Sequence, residues 1–499
     1  MVIRSIARIR GRTVLIAGFT PRSGAGAARL LARLKCRIRV WDEKNADALA
    51  QAFRKSKGIR FAARFLGPDS GRHEAALKGA DLVVLSPGVP LAHPLLKLAL
   101  TKGVPVISEV ELAWLYCPVK WICVTGTDGK TTTTTLAGLV FKAAGKKTIV
   151  AGNIGLSLCE AVLKAGRKPE FVIAELSSFQ LETSVTLRPS VAIVLNVTPD
   201  HLDRYPDLSA YAAAKARIWM NQTAADALVV KEDDANIRRL LKKYPPKSRL
   251  VRFARSKIPG EAAYVDEGRM MVRLNGRSRD YLGAAELRIK GEHNKENVLA
   301  VLAAAELAGL PIGRVIPALR KFRGVEHRCE PAGTVEGRSF INDSKATTLN
   351  AVRMALLSMS GKVILLMGGR DKGDDFRRIA ADVRSRVKRL VLFGEAGPLI
   401  DRRIAFKPKI RIGTMVGAVR EAYRTSRPGD IILLSPGCTS YDEFNNFEER
   451  GRVFKKLVRS LPSEIRVRGR GKASSTTATR RSASCGFPRV EPPILRRKR

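Results

Sequence analysis

The sequence predicts an α/β protein of three domains built on parallel sheets, and two observations lead to that class. Short apolar, β-branched runs recur along the chain, and most are followed by a glycine-bearing or polar turn and then a helical pattern. That alternation is typical of parallel sheets covered by helices. The chain has 499 residues, 45% of them hydrophobic and 27% charged, which suits a globular protein of about three domains.

The first domain is predicted over residues 1–108 and is Rossmann-like. A strand, TVLIAGF (13–19), leads through a glycine turn into a helix, and a second strand ends at Asp42. The dinucleotide fingerprint is poor, because Arg29 stands where its third glycine would be. A later apolar run ends in the loop that holds Ser86 and Gly88. This pattern predicts a nucleotide-like ligand weakly, and a domain without a ligand stays open as the alternative.

The strongest motif, WICVTGTDGKTTTTT (121–135), lies in the second predicted domain, residues 109–324. A buried strand turns through Gly126 and Gly129 to Lys130, and a helix follows with Leu136, Leu139, Val140 and Ala143 on one side. This is the layout of a phosphate-binding loop, in which backbone amides, a helix N-terminus and a lysine hold the phosphates. The hydroxyl after the lysine is placed to bind Mg²⁺. The spacing departs from GxxxxGK[ST], and a threonine-rich helix cap is the alternative.

Three polar groups follow neighbouring strands of this domain: Asn153 in a glycine turn, Glu175 at a strand end, and His201 in a later loop. The carboxyl ends of parallel strands meet at one sheet edge, so these groups would converge on the phosphate loop as metal or substrate ligands. Singly, each also fits an ordinary strand-end or capping role. Lys215 lies on an alanine-rich helical stretch, and the pattern alone predicts a solvated surface lysine.

The third domain is predicted over residues 325–462, again with strands that lead into polar loops. These loops carry Arg328, Asp343, Lys345, Thr347, Lys372, Ser440 and Phe447. Residues 463–499 are rich in Arg, Ser, Thr, Gly and Pro without an apolar period, which predicts a disordered basic tail.

Charge and cysteine content narrow the function classes. Ninety Lys and Arg against 46 Asp and Glu give a net charge of +44. The basic residues are dispersed and no nucleic-acid module is recognisable, so no specific nucleic-acid partner is predicted. No apolar run is long enough for a membrane span. The seven cysteines form no CxxC pair, which favours a reducing, cytoplasmic location.

Taken together, the motifs resemble the Mur ligases of peptidoglycan synthesis, and within that family the branch that adds D-glutamate. The resemblance runs from about Thr13 to about Leu461. It rests on GTDGKTT (126–132), AGNIG (151–155), ELSSFQLE (175–182), NVTPDHLDRY (196–205), EHRCE (326–330), NDSKATT (342–348) and LLSPGCTSYDEFNNFEERG (433–451).

The resemblance implies a UDP-binding, an ATP-binding and an amino-acid-binding domain, and a two-step reaction. The carboxylate of UDP-N-acetylmuramoyl-L-alanine takes the γ-phosphate of ATP to form an acyl phosphate. The amine of D-glutamate then displaces the phosphate. The family's members are commonly monomers.

The resemblance also implies a role for each matching residue. Gly126, Thr127, Asp128, Gly129, Lys130, Thr131 and Thr132 would hold the ATP phosphates, and Asn297, Arg328 and Asp343 the adenosine end. Thr131 and Glu175 would bind one Mg²⁺, and His201 and a carbamylated Lys215 a second; Lys130, Glu175, His201 and Lys215 form the catalytic set. Ser23, Asp42, Ser86, Gly88, Asn153 and His201 would contact the UDP-sugar substrate. Lys345, Thr347, Lys372, Ser440 and Phe447 would contact D-glutamate.

Two departures and two alternatives accompany this expectation. Asp128 stands where this branch commonly has asparagine, and the first loop, GFTPRSGAG, is longer than usual. A sister Mur-type or folylpolyglutamate-type ligase with another amino acid is the nearest rival. A non-catalytic nucleic-acid-binding protein that keeps the fold is a rival of another class.

Overall fold

The computed structural model describes residues 3–68, 72–166, 169–201, 204–289 and 291–472. The chain divides into two compact units, Met1–Glu326 and His327–Arg499. The first unit holds two sheets and the second holds one. The division into domains at residues 108 and 324 stays a prediction.

The first sheet has five parallel strands in the order β3-β2-β1-β4-β5. This is the half-Rossmann arrangement that the strand and helix pattern predicted. Its strands are β1 Thr13–Ala17, β2 Arg37–Asp42, β3 Phe61–Leu66, β4 Leu82–Leu85 and β5 Val106–Ser108. The helices of this region are α1 Ser23–Arg33, α2 Ala50–Lys55, α3 Arg72–Leu77, α4 Pro94–Thr101 and α5 Glu109–Tyr116.

The central sheet has nine strands in the order β14-β13-β12-β11-β10-β9-β6-β8-β7. They are β6 Lys120–Thr125, β7 Thr148–Gly152, β8 Phe171–Glu175, β9 Val191–Val194, β10 Ala227–Lys231, β11 Arg249–Ala254, β12 Ala262–Asp266, β13 Arg269–Leu274 and β14 Arg277–Gly283. The strands from β7 to β12 are parallel, whereas β13 and β14 add antiparallel pairs that make the sheet mixed. The helices are α6 Lys130–Ala143, α7 Leu158–Ala165, α8 Ser178–Leu181, α9 Leu208–Ala216, α10 Ala235–Lys243, α11 Glu292–Leu307 and α12 Ile312–Lys321.

Helix α6 begins as predicted after the glycine turn, but its buried face is not the predicted one. Leu136 and Val140 are buried, whereas Leu139 is 38% exposed and Ala143 is exposed. Two further residues, Ala137 and Phe141, complete the buried face. Leu136 and Val140 are four residues apart, and so are Ala137 and Phe141, so the four side chains form one broad apolar face of the helix. Helix α6 packs against α11 and α12.

The two sheets of the first unit share one hydrophobic core, to which α1 and α7 both contribute. A Cβ added to Gly26 of α1 would come within 2.1 Å of Ser157 Oγ at the start of α7, so the two helices need a glycine there. Arg29 Nη1 donates to Glu160 Oε1 at 2.7 Å across the same contact. These contacts fix the first sheet against the central one.

The second unit contains a six-stranded sheet in the order β15-β16-β20-β17-β18-β19, with β15 antiparallel and the others parallel. Its strands are β15 Glu330–Val335, β16 Arg338–Asn342, β17 Val363–Gly368, β18 Val387–Phe393, β19 Lys409–Arg411 and β20 Ile431–Gly437. Its helices are α13 Leu349–Ser358, α14 Ala380–Arg386, α15 Gly397–Arg403, α16 Met415–Thr425 and α17 Phe447–Lys472.

Helix α17 corrects part of the predicted tail. It continues to Lys472, so residues 463–472 are helical rather than disordered. Extending an existing helix adds one hydrogen bond per residue without a new nucleation step, which favours continuation through Glu, Arg and Lys. Residues 473–499 lie outside the described residues. Over the part of the chain that is described, none of the helices is both long and apolar enough to span a membrane.

Candidate active site

The phosphate-binding loop predicted from the sequence joins β6 to α6. Gly129 precedes the helix with φ +81°, and Gly126 has φ +151°, both in the region that L side chains rarely adopt. The backbone therefore turns sharply from the strand into the first turn of α6, at Lys130–Thr132. The first amides of a helix have no partner within the helix, which makes this end of α6 suited to an anion.

Asn196, in the loop after β9, clamps the phosphate loop. Its Oδ1 accepts from the amides of Thr127 at 3.0 Å and Asp128 at 2.8 Å, and its Nδ2 donates to Asp128 O at 3.1 Å. Two amides of the predicted phosphate cradle are therefore used to hold the loop in shape. β9 lies next to β6 in the sheet, and this neighbourhood brings Asn196 to the loop.

Two lysines meet at one carbonyl of the loop. Lys130 Nζ and Lys215 Nζ each donate to Gly126 O at 2.8 Å. Lys215 is only 1% exposed, which overturns the surface position that the helix pattern predicted. Burial, with the nearby charge of Lys130, holds the pKa of Lys215 well below its ordinary value, while Asp200 and Asp128 act in the opposite direction.

Tyr211 connects these groups and was missed from the sequence. Its ring lies 4.4 Å from Lys215 Nζ and 6.2 Å from the ring of His201, and its hydroxyl is 3.2 Å from Thr127 Oγ1. Tyr211 precedes Lys215 by four residues on α9, so both lie on one helix face. That spacing is the signal that would have identified it.

Glu175, at the end of β8, has one oxygen without a partner. The residue is 1% exposed, and its Oε1 accepts from Asn153 Nδ2 at 2.9 Å. Among the described residues, nothing hydrogen-bonds to its Oε2. β8 is paired with β6, so this oxygen belongs to the sheet edge that carries the phosphate loop. A buried carboxylate oxygen in this condition is suited to a cation.

The imidazole of His201 is more exposed to solvent than the carboxylate of Glu175. The side chain of His201 is 44% exposed, and its Nε2 lies 3.4 Å from Asp200 Oδ2. Its backbone is left-handed, with φ +53°, and its ring packs 4.7 Å from that of Phe179. His201 thus lies on the outer side of Tyr211.

Asn297, predicted at the adenosine end, packs against the phosphate loop itself. A Cβ on Gly129 would come within 2.4 Å of Asn297 Oδ1, and the same oxygen accepts from Thr133 Oγ1 at 3.1 Å. Asn297 is 4% exposed and lies on α11. Thr131 and Thr132 are also buried, so the first turn of α6 is enclosed.

Four of the six predicted UDP-sugar residues, Ser23, Asp42, Ser86 and Gly88, lie at the carboxyl edge of the first sheet, whereas Asn153 and His201 follow strands of the central sheet. Ser23 Oγ donates to Ser86 Oγ at 3.0 Å, which joins the start of α1 to the loop after β4. Asp42 accepts from the amides of Phe19 at 2.7 Å and Lys44 at 3.0 Å, so both of its oxygens hold loops. A Cβ built on Gly88 would meet no heavy atom of the described residues within 4 Å, apart from its own chain neighbours.

In the second unit, Asp343 is buried at the end of β16. Its oxygens accept from Ser435 Oγ at 2.7 Å and from the amide of Cys329 at 3.1 Å. Burial raises the pKa of Asp343 to about 6, although these donors and the charge of Arg328 lower it. Arg328, adjacent to Cys329, is half-buried.

The predicted D-glutamate residues occupy the loops around this carboxylate. Lys345 Nζ lies 5.7 Å from the ring of Phe447, and the amide of Thr347 donates to Lys345 O at 2.9 Å. Ser440 is 2% exposed, whereas Lys372 is exposed in the loop after β17.

Arg450 organises these loops, and the sequence analysis did not single it out. It is fully buried, and its guanidinium donates to Thr439 O, Cys438 O, Ser344 O and Ser344 Oγ at 2.9–3.1 Å. Burial lowers its pKa to about 10, within the range where it stays charged at neutral pH. It therefore ties the start of α17 to the loops that carry Lys345 and Ser440.

The donor set of the central sheet edge fits a divalent ion held jointly with phosphates. Within the described ranges, no three His, Cys, Asp or Glu side chains cluster as a complete metal cage. Mg²⁺ usually takes one or two carboxylates and completes its shell with phosphate and water oxygens. The unpartnered Glu175 Oε2 and the Thr131 hydroxyl at the start of α6 suit that mode.

Three family models match the chain. Residues 12–108 match the Mur ligase MurD-like N-terminal domain, residues 124–305 the Mur ligase middle domain, and residues 327–438 the Mur ligase glutamate ligase domain. Together the matches cover most of the sequence and follow the order that the motifs indicated.

Curated relatives match over nearly the whole chain. A protein of Thermoanaerobacter sp. (strain X514) is 38% identical over 459 residues, which are 91% of this chain and 99% of its own. A protein of Acidobacterium capsulatum is 39% identical over 90% of this chain and 96% of its own. One from Pelotomaculum thermopropionicum is 44% identical over 77% and 84%. All three are named UDP-N-acetylmuramoylalanine--D-glutamate ligase.

Solved structures agree on the fold. The UDP-N-acetylmuramate-alanine ligase MurC of Thermotoga maritima aligns with a TM-score of 0.55 at 20% identity, over 90% of this chain and 99% of its own. MurF of Acinetobacter baumannii aligns with a TM-score of 0.56 at 16% identity, over 85% and 91%. At these identities the likeness concerns the fold alone.

Proposed function

The chain belongs to the Mur ligase family, and from this premise we propose that it adds D-glutamate to UDP-N-acetylmuramoyl-L-alanine in an ATP-dependent reaction of peptidoglycan precursor synthesis. The observation that carries the proposal is the near full-length similarity to relatives named for this activity. The phosphate loop, with two lysines and a buried carboxylate at one sheet edge, supports it.

The reaction joins two carboxylate-bearing substrates in two steps. The alanyl carboxylate attacks the γ-phosphorus of ATP, so a C–O–P bond forms and ADP leaves. The amine of D-glutamate then attacks the acyl carbon, loses a proton and expels inorganic phosphate. Phosphoryl transfer depends mainly on positioning and charge neutralisation, for which Lys130 and the start of α6 are suited.

Thr131 and Glu175 would hold the Mg²⁺ that accompanies ATP. A bound Mg²⁺ supplies charge neutralisation for the phosphates. Asn153 holds Glu175 Oε1 at 2.9 Å, which leaves Oε2 in a fixed direction. Asn196 keeps the phosphate loop in register with that carboxylate by its hydrogen bonds to Thr127 and Asp128.

Lys215 would be carbamylated and, with His201, would serve a second Mg²⁺. A neutral amine adds to CO₂, forming an N–C bond and releasing one proton, and it thereby becomes an anionic oxygen ligand. Burial and the charge of Lys130 lower the pKa of Lys215 well below its ordinary value, which favours the neutral, nucleophilic amine. Nuclear magnetic resonance with ¹³C-labelled CO₂ tests this: the wild type should give a carbamate signal that Lys215→Ala lacks.

The second unit would bind the amino acid through cations suited to a dicarboxylate. Lys345 and Lys372 carry the charges, and Thr347, Ser440 and Phe447 would complete the pocket. Lys345→Ala and Lys372→Ala should each raise the KM for D-glutamate and leave the KM for ATP unchanged. Arg328, Asp343 and Asn297 are assigned to the adenosine end on the family pattern.

The UDP-sugar would bind at the carboxyl edge of the first sheet, where Ser23, Asp42, Ser86 and Gly88 lie. Asp42 and Ser86 hold the loops there, and Gly88 is open to a ligand. Crevices at this edge of parallel sheets are the usual ligand sites. The monomeric state, the cytoplasmic location and the lack of a specific nucleic-acid partner remain parts of the proposal.

The decisive experiment is ADP release and product analysis with UDP-N-acetylmuramoyl-L-alanine and a panel of amino acids. D-Glutamate should give product, whereas L-lysine, meso-diaminopimelate and L-glutamate should not. Product with another amino acid alone would favour the sister ligase. Lys130→Ala should abolish turnover, and full function in that variant with loss on deleting residues 473–499 would favour the nucleic-acid-binding alternative.

A further inference from the structure

Arg204 joins the two sheets of the first unit beside the residues assigned to substrate. It lies three residues after His201, in the loop that follows β9, and its side chain is 13% exposed. Its guanidinium reaches the loop after β4 in the other sheet. No role follows for it from the predicted metal and substrate contacts.

The guanidinium caps two carbonyls of the turn that carries Ser86 and Gly88. Nη1 donates to Pro87 O at 2.9 Å, and Nη2 donates to Val89 O at 3.3 Å. The turn is tight, since the amide of Val89 donates to Ser86 O at 3.2 Å. Gly18 is needed beneath it, because a Cβ there would come within 2.7 Å of Val89 Cγ2.

Two groups on and directly after α8, Phe179 and Glu182, hold Arg204 in place. Glu182 Oε2 accepts from Nη2 at 2.7 Å, and the Glu182 side chain is 9% exposed. The ring of Phe179 lies 4.2 Å from Cζ of Arg204, in a cation–π contact. A buried, charge-assisted pair with a stacked ring is a rigid anchor compared with a surface pair.

The same anchor reaches His201. The amide of Arg204 donates to His201 O at 3.1 Å, and the ring of Phe179 packs 4.7 Å from the imidazole. His201 in turn lies near Tyr211, which contacts the phosphate loop through Thr127. A continuous set of contacts therefore runs from the turn at Pro87–Val89 to the phosphate loop.

We propose that Arg204 is a positioning residue that fixes the sugar-side turn at Ser86–Val89 relative to His201, and so sets where the acceptor carboxylate meets the ATP phosphates. The inference rests on the proposed function for the identity of the acceptor. It concerns the alignment of two sites. A displacement of about 1 Å between them lowers the rate by on the order of 10²-fold.

Lysine cannot replace arginine in this position. One planar guanidinium donates to three acceptors from two segments: Pro87 O, Val89 O and Glu182 Oε2. A planar fork with five donors serves them at once, whereas an ammonium is a compact charge on a flexible stem and does not stack on Phe179 in the same way. Arg204→Lys therefore keeps the charge and removes the geometry.

The test is steady-state kinetics of Arg204→Lys with each substrate varied in turn. We expect the KM for UDP-N-acetylmuramoyl-L-alanine to rise and kcat to fall, each by about 10-fold, from the loss of charge-assisted hydrogen bonds. The KM values for ATP and D-glutamate should stay unchanged. Glu182→Gln, which loosens the anchor but leaves both carbonyl contacts, should show a smaller change in the same direction.

Arg29→Lys is the matched control. It weakens another contact between the two sheets, with Glu160, at a place that the substrate residues do not share. It should leave all three KM values and kcat unchanged. A merely structural role for Arg204 would make the two lysine variants alike, and an unchanged KM for the UDP-sugar in both Arg204→Lys and Glu182→Gln overturns the inference.

Hydrogen–deuterium exchange separates this inference from the proposed function. Arg204→Lys should speed exchange at the amides of residues 88–93, and Arg29→Lys should not. This readout needs no substrate. Absence of product from the wild type would refute the proposed function, whereas equal exchange in both variants would refute the role of Arg204.

Discussion

Two buried glutamates of the first unit differ in how they are bonded. Glu111, on α5, is fully buried and accepts from the amides of Val185 at 3.0 Å, Thr186 at 2.6 Å and Leu187 at 3.2 Å, and from the Thr186 hydroxyl. Glu175 is equally buried but accepts one hydrogen bond, from Asn153, and its Oε2 has none among the described residues. One carboxylate is saturated by the protein and the other is not.

The difference separates structural from functional buried charge. A saturated carboxylate recovers its lost hydration through protein donors and so holds the loop at Val185–Leu187 in place. An unsaturated one retains the desolvation penalty until a cation binds. The same comparison applies to the second unit, where Arg450 donates four hydrogen bonds to its neighbours, whereas Asp343 accepts two and keeps part of its desolvation cost.

The largest expected effect is that of Glu175→Gln. Turnover should fall by about 10³-fold, because the substitution removes the proposed carboxylate ligand of the ATP-bound ion at a preorganised site. The melting temperature should stay the same or rise, since the substitution removes an unpartnered buried charge. ADP release and thermal unfolding measure the two effects, and a lower melting temperature would break the distinction between the two glutamates.

Arg450→Lys should give the next largest effect. The lysine leaves carbonyls of Ser344, Cys438 and Thr439 without donors, so we expect the unfolding free energy to fall by about 3 kcal/mol. The KM for D-glutamate should rise, because the loops with Lys345 and Ser440 lose their common anchor. Urea unfolding and kinetics check this; unchanged stability would show that Arg450 is not saturated in solution.

Glu111→Gln should have the opposite effects to Glu175→Gln: lower stability and unchanged turnover. Glutamine has one acceptor oxygen where the carboxylate has two, so about 2 kcal/mol of stability should be lost at the loop Val185–Leu187. Turnover per folded molecule should equal that of the wild type. Denaturant titration with an activity assay on the soluble fraction measures both; a specific loss of turnover would count against the distinction.

The last prediction concerns how the free energy of unfolding depends on pH through the protonation of Asp343. Its pKa of about 6 lies above the ordinary 3.8, so the folded state binds a proton more tightly than the unfolded state does. The stabilisation from this proton is complete below pH 4 and is lost as pH rises through 6, by about 3 kcal/mol in total. Urea unfolding at pH 4, 5, 6 and 7 should show this decline in the wild type and a flatter profile in Asp343→Asn.

The sequence sufficed for the parts of the site that local pattern determines. The strand, the glycine turn and the start of α6 follow from residues close together in the chain, and the position of Glu175 follows from strand order. Asn196 followed a predicted strand, but its hold on Thr127 and Asp128 depends on β9 pairing with β6. The burial of Lys215 could not be read from an alanine-rich helix, which shows no apolar stripe to indicate its inner face.

Arg204 and Arg450 were hidden for a related reason. Each donates to backbone carbonyls of distant segments. Because every residue has a backbone carbonyl, the residue types do not indicate which carbonyls will accept. An arginine in a polar stretch of sequence indicates a solvated charge unless the fold brings acceptors around it. The helical start of the predicted tail was missed because its composition is that of a disordered segment, while the preceding helix continues into it.

Helices α1 and α7 pack closely at Gly26 and Ser157, and the first two sheets share one hydrophobic core. We therefore expect these two sheets to unfold as one cooperative unit. Deleting residues 1–108 would expose apolar surface of the central region to water. A central region truncated in this way should aggregate rather than fold. A ligand that binds at the carboxyl edge of the first sheet should therefore raise the melting temperature of the central sheet as well, since binding to the native form shifts the unfolding equilibrium of both sheets together.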